Sequence, residues 1–147
     1  MESVPERALK YAKAHNLDLT VQHTVVPTAP FVFKCLQPRA SILGAFSRAK
    51  RGGQLWPLGM PIPVVTYNRT EDEWQIMDGM QRICAAQIEG FGEIPALVAS
   101  GETHDALWEP VLKEGYFGED FVEMLSMVDP LVRENQAMGD DLRLAGK

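Results

Sequence analysis

The chain has 147 residues with 14 Lys+Arg and 20 Asp+Glu, a formal net charge of −6. Hydrophobic residues make up 46% and charged residues 23%, so the chain can bury a core of its own without a disulfide framework. The acidic balance disfavours DNA binding across the whole surface, and no apolar run reaches the roughly 20 residues of a membrane span.

Met1–Glu6 shows no basic or apolar leader pattern. Two cysteines, Cys35 and Cys84, and three histidines without zinc spacing point to a reducing cytoplasm and to no zinc, haem or flavin. Pro5–His15 has helical spacing, with Ala8, Leu9, Tyr11 and Ala12 on one face. The pattern then shortens through Leu19, Val21, Val25 and Val26, and again at Phe31-Val32-Phe33. This predicts one or two strands with Pro27 and Pro30 at their ends or on an edge. Pro38–Arg51 predicts a second helix, with Pro38 at its first position and Gly52-Gly53 at its stop. Pro63–Tyr67 and Glu73–Met77 predict a hairpin around a turn at Asn68–Asp72. Met80–Glu89 predicts a helix with Met80, Ile83, Cys84 and Ile88 on its inner stripe, and Ile94–Val98 a further strand. Cys84 is therefore expected to be buried and inert, and Cys35 to be a strand residue without a disulfide partner. Helices are expected over His104–Glu114, Glu119–Met127 and Pro130 to about Ala137, with a polar, frayed end from Gly139. The fold class expected is α/β (α+β): one domain over 1–147, a small mixed sheet with helices packed on it, and C-terminal helices.

The informative stretch is Trp74 to Val98. A strand ends at Asp78-Gly79 and feeds a helix, so the first amides of that helix aim at one spot, which attracts anions. Gly79 has no Cβ and lets a ligand approach the backbone. Arg82 falls in the first helical turn, where the dipole opposes a cation unless an anion joins it. The plain alternative is a simple cap at Asp78 with Arg82 paired to a nearby carboxylate. Arg39, Arg48, Lys50 and Arg51 form a second cationic cluster. It reads either as a solvated helix end or as a group closing over phosphate or nucleic acid. Trp56 and Met60 read either as a base-stacking pair or as the edge of a core.

Ile76-Met-Asp-Gly-Met-Gln-Arg-Ile-Cys-Ala-Ala-Gln-Ile-Glu-Gly-Phe-Gly-Glu-Ile-Pro-Ala-Leu-Val98 resembles the core of the ParB/sulfiredoxin-like superfamily. The shared pattern is an Asp-Gly-x-x-Arg turn, paired alanines at Ala85-Ala86 and an Ile94-Pro95 strand. The resemblance implies a ParB-like core at about 25–100 and a helical extension at 102–137. It also implies a site for a nucleoside triphosphate, ATP or CTP, with Mg²⁺. Gly79 and Arg82 would contact phosphate with Gln81 beside them, and Asp78 would be a metal or ribose ligand and the candidate catalytic carboxylate; on the functional reading of the cationic cluster, Arg48 and Arg51 would join them on the phosphates. A weak NTPase or phosphotransferase follows as the implied activity. The chain departs from the family at two positions. Met80 stands where sulfiredoxins carry their catalytic cysteine, which argues against sulfinic acid reduction. Met80 and Gln81 also replace the Glu and Arg of the partition proteins, which argues against CTP switching. Glu134-Asn135-Gln136 is faintly similar to a further box of the partition proteins, at the wrong spacing and without its arginine, and is read as chance. Two alternatives stay open. One is a non-enzymatic interaction or regulatory module of mobile-element or phage type, binding a protein partner or a second copy. The other is a DNA-binding or nuclease-associated module, which the −6 charge disfavours.

Overall fold

The first helix, α1 (Val4–Ala14), starts from a capping box: Ser3 Oγ accepts from the Glu6 amide, and the Glu6 carboxylate accepts from the Ser3 amide, both at 3.3 Å. The computed structural model describes residues 3–33, 36–68, 72–99 and 118–145. After α1 come β1 (Val21–Pro27), α2 (Ala40–Arg51), β2 (Val64–Asn68), β3 (Glu73–Asp78), α3 (Met80–Ile88) and β4 (Glu93–Ala99). Two further helices follow, α4 (Gly118–Val128) and α5 (Pro130–Ala145). The protein is of the α+β class, with a four-stranded mixed sheet in the order β1-β4-β2-β3.

β2 and β3 form the antiparallel hairpin that the sequence predicts. α3 then carries the chain to the other edge of β2, where β4 pairs parallel over Val64↔Leu97 to Thr66↔Ala99. β1 closes the order by pairing antiparallel with β4, from Val21↔Ala99 to Pro27↔Glu93. Pro95 sits in the half of β4 that β2 does not reach, and Pro27 is the last residue of an edge strand.

Successive residues of β2 face opposite ways, and both faces are covered. Val64, Met77, Leu97 and Ala99 join Ala8, Val122, Met124, Leu125 and Val132 in one cluster, so α1, α4 and α5 lie on that face. Val65, Ile94 and Ala96 join Phe46, Ala49, Ile83, Ala85 and Ala86 in the other, so α2 and α3 lie opposite. The C-terminal helices thus complete the core.

Several expectations are corrected. α2 begins at Ala40 with Arg39 as N-cap, which places Pro38 before the helix rather than in its first turn. Phe31–Phe33 is not a strand, because the Thr28 and Phe31 carbonyls accept from Gln87 Nε2 of α3 at 3.0 and 2.9 Å instead of joining a ladder. Met80 and Ile88 are 50% and 59% exposed, and α3 buries Ile83, Cys84, Ala85 and Ala86 in succession. α5 does not stop near Ala137 but runs to Ala145. The helix expected over His104–Glu114 and the residue Cys35 lie outside the described residues.

Candidate functional site

β3 gains an extra residue just before the turn. Val64 faces Asp78 and Val65 faces Ile76, so Met77 is bulged and the strand bends as it reaches Asp78-Gly79. Gly79 then takes a left-handed conformation, φ +93° and ψ 25°, and serves as the N-cap of α3. A Cβ at this position would lie 2.9 Å from Pro63 Cβ and 3.0 Å from both Pro63 Cα and Arg82 Nη2. Glycine is required here twice over, by its φ and by the close approach of Pro63.

Arg82 folds back over the turn. Its Nη1 donates to Pro61 O at 2.5 Å, and its Nη2 lies 3.2 Å from Asp78 Oδ2. The side chain of Arg82 is 12% exposed and that of Asp78 is 47% exposed. The guanidinium is therefore largely desolvated and held in one orientation, with the carboxylate reaching it from the solvent side. The ion-pair alternative raised from the sequence is present in the structure, and it fixes the arginine at the mouth of the turn.

Gln81 has a different partner. Its Oε1 accepts from the Arg39 backbone amide at 3.1 Å. That bond ties the start of α3 to the start of α2. Neither helix has a side-chain cap or an acidic residue in its first turn. The first amides of each, at Ala40 and Ser41 and at Met80 and Gln81, have no acceptor within their own helices. Two positive dipole ends thus meet at one place, with Arg39 and Arg82 beside them.

The same two helices are tied at their other ends. Lys50 Nζ donates to Gly90 O at 2.9 Å and lies 5.1 Å from the centre of the Phe91 ring. Arg48 and Arg51 therefore belong to the far end of α2. They stand nine and twelve residues beyond Arg39, about 14 and 18 Å along the helix axis. The structure brings Asp78, Gly79, Gln81 and Arg82 together and does not bring Arg48 and Arg51 to them. The residue of the cationic cluster that does reach the junction is Arg39. Its place could be read from the sequence only by knowing which end of α2 meets α3.

Trp56 packs edge-on to Phe46, with ring centres 4.8 Å apart, and its Nε1 donates to Met60 O at 2.9 Å. It belongs to the edge of the core, while Leu55 and Leu58 beside it are 84% and 87% exposed. Cys84 is buried, is not in a disulfide, and burial pushes its thiol above the ordinary value of 9.0. Among the described residues no three His, Cys, Asp or Glu side chains converge on a metal site. A Mg²⁺ at the turn would depend on phosphate oxygens and water, with Asp78 as the carboxylate within reach. No helix among the described residues is long and apolar enough to cross a membrane. Comparison with models of known protein families and with curated proteins finds no match for this chain.

Proposed function

We propose that the junction of α2 and α3 binds the phosphates of a nucleoside triphosphate, as the resemblance to ParB/sulfiredoxin-like domains implies. The observation that supports this most is the meeting of two uncapped helix N-termini through the Gln81–Arg39 bond. A phosphate there would accept from the first amides of both helices and from Arg82 and Arg39. It would turn two unfavourably placed arginines into favourable ones. Asp78 would act as a positioning residue that steers the guanidinium. The Mg²⁺ that accompanies a triphosphate would neutralise charge on its oxygens and lessen their repulsion of Asp78. Because the Asp78 carboxylate is already engaged with Arg82, binding is better supported than hydrolysis or phosphoryl transfer.

Calorimetric titration with ATP, CTP, GTP and UTP in the presence of Mg²⁺ tests the reading. One of them should bind the parent protein, and Arg82→Ala should weaken that binding by about 1.5–3 kcal/mol, the range for hydrogen bonds to charged groups. Failure of all four at millimolar concentration overturns the proposal. A protein-interaction module is then favoured, on the separate observation of Leu55 and Leu58 projecting from a loop that Trp56 anchors.

A further inference from the structure

Residues 60–63 are gripped in turn by four different parts of the chain. Met60 O accepts from Trp56 Nε1 at 2.9 Å, Pro61 O from Arg82 Nη1 at 2.5 Å, and Pro63 O from the Leu97 amide at 2.9 Å. Ile62 is held on both of its polar groups by Asn135 of α5. Asn135 Oδ1 accepts from the Ile62 amide at 2.7 Å, and Asn135 Nδ2 donates to Ile62 O at 2.6 Å. Pro61 and Pro63 have no N–H and the Met60 amide donates to Pro57 O at 3.2 Å, so Ile62 supplies the backbone donor of residues 61–63. The Asn135 amide presents a donor and an acceptor side by side, as a neighbouring strand would. It does so from a nearly buried position, 9% exposed, on the same helix as the buried Val132.

The segment also passes from one side of the sheet to the other. Met60 packs against the α2–α3 cluster, and Ile62 packs against the cluster of α1, α4 and α5. Asn135 therefore grips, from one face, a residue directly bonded to the Pro61 carbonyl that orients Arg82 on the other. Pro63, on the far side of Ile62, is the residue pressed against Gly79.

We infer that Asn135 is a positioning residue for the phosphate site: by fixing Ile62 it fixes the Pro61 carbonyl, and with it the direction of the Arg82 guanidinium. The role in binding rests on the proposed function, whereas the link from α5 to Arg82 does not. The link makes α5 part of the site without touching the ligand.

The test compares Asn135→Ala with Val132→Ala, which takes buried volume from the same helix and leaves both Asn135 hydrogen bonds in place. Asn135→Asp is the milder variant, keeping the acceptor for the Ile62 amide and losing the donor to Ile62 O. The first measurement is hydrogen exchange by NMR in ligand-free protein. In Asn135→Ala, exchange of the Ile62 amide and of the Arg82 guanidinium protons should speed up by about tenfold relative to the amides of α1, with Asn135→Asp between parent and Asn135→Ala. In Val132→Ala the same protons should move no more than those of α1. Acceleration at Ile62 alone overturns the inference. The second measurement is triphosphate titration. Asn135→Ala should bind about fivefold or more weakly than Val132→Ala, and its effect should vanish in an Arg82→Ala background. If the parent binds no triphosphate, the phosphate reading fails and the exchange result alone decides the link. If the parent binds and Asn135→Ala binds as tightly as Val132→Ala, the positioning role is overturned.

Discussion

Helices α1 and α5 begin in one way, and α2 and α3 in another. Ser3 and Glu6 close the start of α1 between them, and Asp129 Oδ1 accepts from the Leu131 and Val132 amides at 2.8 and 3.4 Å at the start of α5. At α2 and α3 the chain places Arg39 and Gly79 in the capping positions and no acid in the first turn. A serine or aspartate cap stabilises a helix by about 1 kcal/mol, so an uncapped start is a forgone gain. The two forgone gains fall at one junction, tied by Gln81. α1 and α5 supply their own negative or polar partner, and α2 and α3 do not.

Four substitutions and one pH effect sharpen this contrast or break it, from the largest effect to the smallest. Gly79→Ala should destabilise the fold by roughly 2–5 kcal/mol, about 1–2 from the left-handed conformation and about 1–3 from overpacking against Pro63. Urea unfolding measures it, and a loss below about 1 kcal/mol would show that the turn relaxes freely. Arg82→Ala should cost about 1–3 kcal/mol of stability even without ligand, because it strands the Pro61 carbonyl in a partly buried place. A stable variant with unaltered unfolding would mean that the guanidinium does not hold the turn. Asp129→Ala should cost about 1 kcal/mol and leave triphosphate affinity untouched, since that cap serves α5 alone. Gln81→Glu supplies the missing acid to α3 and keeps an acceptor for the Arg39 amide. It should raise stability by about 0.3–1 kcal/mol while weakening triphosphate binding, and a gain in both would break the contrast.

The smallest effect concerns Cys84. Burial raises its folded value above the ordinary 9.0, so the unfolded chain loses this proton first as pH rises. Its contribution to stability is complete below pH 9 and is lost at higher pH. The native thiol should resist labelling by a neutral maleimide at pH 7, and rapid labelling would mean that α3 opens readily.

The strand, turn and helix from Glu73 to Ile88 were legible because hydrophobic spacing switches from two to 3.6 at Asp78-Gly79. The hairpin and the strand at Ile94–Val98 were legible as short apolar runs bounded by turn residues, whereas the parallel pairing of that strand with β2 was not. The inner face of α3 was misread, because large apolar side chains suggested a stripe through Met80 and Ile88. The helix instead packs against both the sheet and α2, and the small Ala85 and Ala86 are among the residues it buries there. Phe31–Phe33 has the composition of a strand, yet Gln87, more than fifty residues away, takes the Phe31 carbonyl together with that of Thr28. Of the candidate site, Asp78, Gly79 and Arg82 could be placed from local pattern alone. The separation of Arg48 and Arg51 from them, the arrival of Arg39, and the grip of Asn135 on Ile62 depend on contacts between distant segments. No local rule encodes those.

The strand order has a consequence for how the chain is made. β1 is synthesised early, yet it pairs with β4, which begins only at Glu93. α1 likewise rests on a cluster that draws on α4 and α5. Between them the hairpin of β2 and β3 closes over a few residues, which is a fast, local event. While the ribosome is still making the middle of the chain, the N-terminal helix and strand have no partners to dock on. The order of assembly therefore runs outward from the hairpin and the Asp78-Gly79 turn, and β1 waits unpaired until β4 has been made.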